Sequence, residues 1–267
     1  MGLDCCDSIV MTNNELFALI FVFVLFCGML ACFEIGRRLG RDTASEEAGK
    51  AGLGVVEGAI FALLGLLIAF TFSGAATRFE GRRHLIVEET NDIGTAYLRI
   101  DLLPADAQPE IRDLFRRYVE SRLAIYQHLT SPEPARVRVA ASQELQTEIW
   151  NKSVAAAARS GNTAASMLLL PALNSMIDIT TVRIAATEDH PPIVIFAMLA
   201  LIALVSSMMA GFEMAGASRR SWLHTAGFAL ILSISVYVIL DLEFPRLGLI
   251  RVDAFDHYLV DVRNSMK

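Results

Sequence analysis

Charged residues are scarce in this chain of 267 residues, because Asp, Glu, Lys and Arg make up only 19% of it and hydrophobic residues 54%. Soluble domains average about 25% charged residues, so a wholly soluble protein is excluded. Disorder is excluded too, since it needs low hydrophobicity and high charge. The net charge of −6 excludes the basic surface that nucleic-acid binding requires. The 4 cysteines are too few for a disulfide scaffold.

Catalytic motifs are also missing. The sequence has no G-x-S-x-G, no Walker loop, no H-E-x-x-H and no C-x-x-C. His84 and Glu88 stand four residues apart, a spacing that suits a pair of metal ligands on a helix. Exposed helical pairs of this kind are far more often simply solvated. We therefore predict no catalytic residues, no metal site and no cofactor.

Four apolar runs are long enough to cross a membrane, whose hydrocarbon core needs roughly 20 helical residues. They cover residues 16–35, 53–74, 193–215 and 223–242. Backbone polar groups cannot stay unpaired in lipid, so each run is predicted to be a helix. The segment before the first run is acidic, which disfavours a cleaved signal peptide. The sequence therefore predicts a four-span membrane protein that contacts the lipid bilayer.

Residues 75–192 contain no candidate span, and they hold 13 of the 23 basic and 15 of the 29 acidic residues. Their apolar residues recur at helical spacing, with breaks at Pro104, at 131–134 and at 160–162, and strand signals are absent. We predict an all-α fold in which this helical soluble domain is inserted between the second and third spans. Its parts are a segment over 1–15, two spans within 16–74, the soluble domain over 75–192, two spans within 193–242 and a tail over 243–267.

Three acidic residues lie near the span ends that connectivity places on one side of the membrane: Glu34, Glu57 and Glu213. Ionisable groups in a span are costly and tend to face a cavity or a partner. One interpretation is a ring of carboxylates at the mouth of a pore. The alternative is interfacial ion pairing with nearby arginines, which are Arg37, Arg38, Arg219 and Arg220. At the opposite end of the spans, Asp241 and Glu243 lie at the same level as Arg78, Arg82 and Arg83. We predict structural ion pairs between these acidic and basic residues.

The second span carries two stripes. Its small residues recur every three or four positions and include Gly54, Gly58 and Gly65, which predicts close packing against another helix. A bulky stripe consists of Leu63, Leu66, Leu67 and Phe70. Facing a symmetry axis, this stripe would form a hydrophobic constriction that gates by dewetting. Facing lipid, it would be ordinary membrane-exposed surface, and the residues alone leave both interpretations open.

The run over residues 63–83, LLGLLIAFTFSGAATRFEGRR, resembles the second transmembrane helix of bestrophins as it leaves the membrane. Together with HLIVEETNDIGTAYLRIDLLP over residues 84–104, it is similar to bacterial bestrophin-like membrane proteins, whose four-span layout with a helical insert also matches. The resemblance implies a pentameric anion channel lined by the second span. The hydrophobic neck of the family would fall on Ala62, Leu66 and Phe70, of which only Phe70 is aromatic. The stretch over 244–251 lacks the acidic cluster of calcium-gated bestrophins, so no calcium clasp is expected.

We accordingly predict a bestrophin-like homo-oligomer, a pentamer, that passes small anions such as chloride across the bacterial inner membrane. Basic residues flanking the spans number six on each side, so the positive-inside rule does not fix the orientation. Basic residues around the first span favour an external insert, whereas the resemblance implies a cytoplasmic soluble domain. Two alternatives stay open: a proton-driven, stator-like pentamer that needs a partner subunit, and a non-conducting membrane scaffold or sensor.

Overall fold

The computed structural model describes residues 4–42, 50–127, 135–216, 222–244 and 248–266. Regular structure over these residues is entirely helical, as the sequence predicted, and no strand occurs among them. The helices are α1 (Asp4–Asp42), α2 (Lys50–Arg99), α3 (Gln108–Gln127), α4 (Ala135–Ser160), α5 (Thr163–Glu188), α6 (Ile193–Glu213), α7 (Trp222–Glu243) and α8 (His257–Ser265).

Four stretches of the described chain are long and apolar enough to cross a membrane, in agreement with the four predicted spans. They lie within Leu16–Arg41, Gly54–Leu102, Thr163–Glu213 and Trp222–Glu243. Between 11% and 28% of the residues in their most apolar windows are buried inside the chain. Most of this apolar surface is therefore left for lipid or for other subunits, and the chain is a membrane protein.

The chain divides into two compact units. The apolar unit consists of residues 13–78 and 190–250, and the polar unit of residues 1–12, 79–189 and 251–267. The polar unit contains most of the predicted insert and also the end of the chain. Its internal break between α4 and α5 falls where the sequence placed it, because Gly161 adopts a positive φ of 63° and the Asn162 side chain accepts a hydrogen bond from the Ala165 amide.

The apolar unit is built around side chains from several apolar helices, with Met29, Leu64 and Leu199 at most 2% exposed. Helices α1 and α6 approach most closely at glycines. A Cβ at Gly36 would overlap the Met208 carbonyl, and one at Gly211 would overlap the Phe33 carbonyl. These glycines allow backbone-to-backbone contact, which stabilises helix pairs in lipid through van der Waals packing.

The polar unit has its own hydrophobic core, which includes Ile93, Phe115, Ile149 and Leu173. A buried charged cluster joins three of its helices. The fully buried Glu89 of α2 accepts a hydrogen bond of 2.6 Å from Arg122 of α3 and a second hydrogen bond from Arg183 of α5. Since a buried carboxylate is tolerated only when it is paired, the two arginines hold α2, α3 and α5 in one arrangement.

Candidate functional site

The proposed neck residues lie on one face of α2 and point away from the core of the chain. Ala62 is exposed, Leu66 is 51% exposed and Phe70 is 67% exposed. Leu63, which belongs to the same bulky stripe, is 52% exposed, whereas Leu67 packs against the core of the apolar unit. Among the described residues, this face of α2 is therefore largely exposed, so it is available to a symmetry axis or to lipid.

Gly54, Gly58 and Gly65 of α2 have little packing against the other described residues of the chain. A Cβ at Gly58 or Gly65 would meet nothing within 4 Å, and one at Gly54 would lie 3.4 Å from a carboxylate oxygen of Glu213. Packing of Gly54, Gly58 and Gly65 against another subunit stays a prediction.

The close glycine contacts within the chain belong to other residues, which the sequence analysis missed. Among them are Gly36, Gly40 and Gly211, where a Cβ would overlap backbone atoms of α6 or α1. A signal was present, because Gly36 and Gly40 have the same four-residue spacing as Gly54 and Gly58. The same spacing occurs in α1 and in α2, and only the folded chain shows that the pair in α1 packs against another helix of the same chain.

The three acidic residues near the span ends have different surroundings. Glu57 of α2 is 6% exposed, and its side chain forms a hydrogen bond with that of Glu213 on α6. A hydrogen bond between two carboxyl groups requires a proton on one of them. Glu34 lies 3.1 Å from Arg38 on its own helix, in the ion pairing that was the alternative for this residue. Arg219 and Arg220 lie outside the described residues.

Charged residues at the other end of the apolar unit form the ion pair predicted there. Glu243, at the end of α7, is 1% exposed and accepts hydrogen bonds from Nε of Arg78, at 3.0 and 3.1 Å to its two oxygens. Nδ1 of His190 lies 3.6 Å from the same carboxylate, and its ring packs against Phe244. Asp241 accepts hydrogen bonds from the amides of Leu249 at 3.0 Å and Ile250 at 2.8 Å, which hold these two residues at the end of α7.

The other two arginines that follow the second span have roles within the polar unit that were not predicted. Arg82 donates hydrogen bonds of 2.9 Å to the carbonyls of Ala186 and Asp189, near the end of α5. The guanidinium of Arg83 lies over the Phe255 ring, 4.1 Å from its centre, which is a cation–π contact. Both arginines therefore contact segments distant in sequence.

In the polar unit, α2 has one exposed face. Its members recur every three or four residues, and they are Gly81, His84, Glu88, Asn91, Thr95 and Leu98. The other side of the helix is buried in the unit, as shown by Ile86, Glu89 and Ile93. Over the described residues, no group of three or more possible metal ligands occurs.

A family model described as the bestrophin-like domain matches residues 20–254. This chain belongs to the bestrophin-like family. The resemblance drawn from residues 63–104 is thereby confirmed, and the match extends from α1 past the end of α7. No curated protein matches the chain.

Two solved structures are similar to this bestrophin-like chain, and both are crystal structures of mutated forms of a bacterial bestrophin homologue from Klebsiella pneumoniae. The first has a TM-score of 0.63 at 14% identity and covers 92% of this chain and 98% of the homologue. The second has a TM-score of 0.59 at 14% identity, with coverage of 89% and 98%. At this identity, the similarity establishes the shared bestrophin fold alone.

Proposed function

We propose that this bestrophin-like protein assembles as a symmetric homopentamer that conducts ions across the bacterial inner membrane, with α2 lining the pore. Ala62, Leu66 and Phe70 form its hydrophobic constriction. The observation that carries the proposal is the exposure of this face, with Phe70 67% exposed at the surface of the single chain. Small anions such as chloride are the permeant ions that the family resemblance implies.

The alternative for the same face is contact with lipid, and the residues that follow argue against it. Beyond Phe70, the face continues through Ser73 and Thr77, whose Oγ1 donates a 2.9 Å hydrogen bond to the Ser73 carbonyl. A water-filled path needs an apolar constriction followed by a hydrated lining, whereas a lipid-facing surface does not require polar residues after the apolar ones.

The glycines of α2 supply the contact between subunits in this assembly. Gly54, Gly58 and Gly65 lie on a neighbouring face of the helix, and over the described part of the chain a Cβ at Gly58 or Gly65 would meet nothing within 4 Å. Exposed small residues let the backbone of an adjacent subunit approach closely. Native mass spectrometry of the purified protein is expected to show five copies, and Gly58→Leu is expected to reduce the population of pentamer.

Ion flux from proteoliposomes tests the channel. Phe70→Ala is expected to raise the flux because it widens the constriction and eases its hydration. Phe23→Ala is the matched control, since Phe23 of α1 is 66% exposed but lies on another helix. If well-folded pentamers conduct no ions and Phe70→Ala is also silent, the channel proposal is wrong. Equal effects of the two substitutions would place Phe70 against lipid.

The membrane orientation has a separate test. We propose that the polar unit is cytoplasmic, in keeping with the family resemblance. Glu144 of α4 is exposed in this unit, so Glu144→Cys supplies a thiol for labelling in a background without the native cysteines. An impermeant thiol reagent is expected to modify this thiol only after the cells are opened. Modification in intact cells would place the polar unit outside.

The contact between Glu57 and Glu213 favours a second candidate, a proton-driven assembly with a partner subunit. Two hydrogen-bonded carboxyl groups in the apolar unit can hold and release one proton. If this candidate is correct, the protein is expected to co-purify with a second membrane chain. Glu57→Gln is then expected to abolish proton uptake. Purification of a fully active homopentamer alone would contradict it.

A further inference from the structure

We propose that Glu243, a buried carboxylate of the apolar unit, makes the protein sensitive to mildly acidic pH through His190. Protonation of His190 adds a second cation to the ion pair of Glu243 with Arg78, which fastens α2 to the end of α7 and lowers conduction. The three residues Arg78, His190 and Glu243 are called the Glu243 cluster. The effect on conduction rests on the proposed channel, whereas the effect on stability is measured independently of it.

Three segments of the apolar unit meet at the Glu243 cluster. Arg78 belongs to α2, Glu243 ends α7, and His190 stands just before Ile193, where α6 begins. Glu243 is 1% exposed, and Nε of Arg78 donates to both of its oxygens, at 3.0 and 3.1 Å. A buried carboxylate requires such a partner, so this ion pair is expected whether or not His190 is charged.

His190 is the member of the cluster whose charge changes near neutral pH. Its Nδ1 lies 3.6 Å from Oε2 of Glu243, too far for a good hydrogen bond but within the range of an ion pair. A neutral imidazole therefore gains little at this position, whereas an imidazolium is attracted by the carboxylate. The ring packs against Phe244, with 4.8 Å between the ring centres, and 35% of the His190 side chain is exposed, so protons reach it from water.

The carboxylate accepts both cations at different oxygens. Nη2 of Arg78 bonds to Oε1 of Glu243, whereas His190 approaches Oε2. An ionised carboxylate has about four lone-pair positions, so it can serve both partners, although Arg78 and the imidazolium repel each other. The second cation therefore stabilises the contact among α2, α7 and the segment before α6.

The other charged groups around the cluster are carboxylates and guanidinium groups. Asp241 lies on α7, and the exposed Glu188 and Asp189 precede His190 in the chain. Helix α6 has no charged residue before Glu213, and Arg246 lies outside the described residues. Carboxylates and guanidinium groups ordinarily titrate below about pH 5 or above about pH 12, whereas an imidazole titrates near pH 6.5. We therefore expect His190 to set the response between about pH 5.5 and about pH 8.

The cluster acts on the proposed constriction through α2. Phe70 and Arg78 lie on this one continuous helix, eight residues or about 12 Å apart. A movement of α2 that widens the constriction has to displace Arg78 from Glu243. When His190 is charged, the cluster is more stable and opposes that movement, so conduction falls as the pH falls.

Unfolding midpoints of the full-length protein in detergent test the cluster. As the pH falls from about 8 to about 5.5, the midpoint of the unsubstituted protein is expected to rise by a few degrees relative to that of His190→Gln, whose side chain stays neutral. His190→Arg is charged at both values, so its advantage over His190→Gln is expected at both. The matched control, His84→Gln, removes an exposed imidazole from α2 in the polar unit and is expected to follow the unsubstituted protein. A constant difference between the unsubstituted protein and His190→Gln over this range would overturn the proposal.

Ion flux from proteoliposomes at the same two pH values tests the effect on conduction. Flux through the unsubstituted protein is expected to fall several-fold at the lower pH. Flux through His190→Gln is expected to change little, and flux through His190→Arg to stay low at both values. Equal pH dependence of the unsubstituted protein and His190→Gln would overturn the effect on conduction. If no folded variant conducts but the midpoints show the expected pH dependence, the proposed channel is wrong and the role of the Glu243 cluster in stability is supported.

Discussion

Gly211 of α6 lies against the backbone of Phe33 on α1, so closely that a Cβ at position 211 would overlap the Phe33 carbonyl oxygen. Gly36 of α1 has the same relationship with the Met208 carbonyl on α6. The two helices are therefore joined through glycines contributed by both sides. In lipid, where burial of apolar surface gives no drive for association, such close backbone packing stabilises a helix pair.

Gly211→Ala is expected to destabilise the protein by about 1–3 kcal/mol, because the added methyl group forces α1 and α6 apart. Gly227→Ala on α7 is the control, since a Cβ there would meet nothing within 4 Å. The measurement is the thermal unfolding midpoint in detergent. Equal midpoints for the two variants would show that the contact between α1 and α6 adjusts without cost.

Glu89→Gln is expected to destabilise the polar unit by about 3–5 kcal/mol, because it leaves the buried guanidinium groups of Arg122 and Arg183 without their carboxylate. The control is Glu110→Gln, which breaks an exposed ion pair with Lys152 at 2.6 Å. That substitution is expected to leave the unfolding midpoint unchanged. A midpoint for Glu89→Gln equal to that of the control would contradict the structural role of the buried cluster.

Asp241→Ala is expected to release Leu249 and Ile250 from the end of α7. The carboxylate of Asp241 accepts the amide hydrogens of Leu249 and Ile250, and hydrogen bonds to charged groups contribute about 1.5–3 kcal/mol each. Hydrogen exchange at these two amides should therefore accelerate by roughly tenfold or more. Asp253→Ala, in the exposed stretch that follows, should leave both rates as they are. Unchanged rates in Asp241→Ala would show that other contacts hold the segment.

Tyr118 gives the polar unit a dependence on alkaline pH. Burial raises the pKa of this phenol above its ordinary value of 10.0, although Arg122 and the hydrogen bond from Gln146 act to lower it. A raised pKa in the folded state gives stability that is complete below the unfolded value near 10 and is lost as the pH rises through the folded value.

Tyr118→Phe tests this dependence. The variant is expected to be less stable at neutral pH by about 1 kcal/mol, since Gln146 Nε2 loses its acceptor at 3.0 Å. The difference in unfolding midpoint between the two proteins should shrink as the pH rises above about 10, because only the unsubstituted protein must then keep a buried phenol protonated. A difference that stays constant up to about pH 12 would contradict the raised pKa.

The sequence predicted the elements of the fold well where the signal is local. The four apolar runs all lie in helices, and the predicted break at 160–162 is the turn between α4 and α5. Ion pairing between the acidic end of the fourth span and the arginines after the second span was also predicted, and the structure pairs Glu243 with Arg78. Charge and depth were sufficient for that inference because a buried carboxylate in such a position requires a partner.

The candidate site was predicted less completely. The exposure of Leu66 and Phe70 agrees with either orientation of their stripe, and the sequence left both open. From the sequence, Glu34, Glu57 and Glu213 were expected together at one end of the spans. In the structure, Glu57 contacts Glu213, and Glu34 lies beside Arg38. The exposed face of α2 in the polar unit was not singled out, because its mixture of Gly, His, Glu, Asn, Thr and Leu has no hydrophobic periodicity.

The sequence by itself determined the helical class, the number and positions of the apolar spans, and membership in the bestrophin-like family, because these depend on composition and on patterns within short stretches of chain. Only the tertiary structure decided which glycines bring α1 and α6 together, which carboxylate meets Arg122 and Arg183, and which face of α2 stays exposed. Those contacts join residues far apart in sequence. Helical periodicity states which residues share a face, but the partner of that face depends on how the other helices pack.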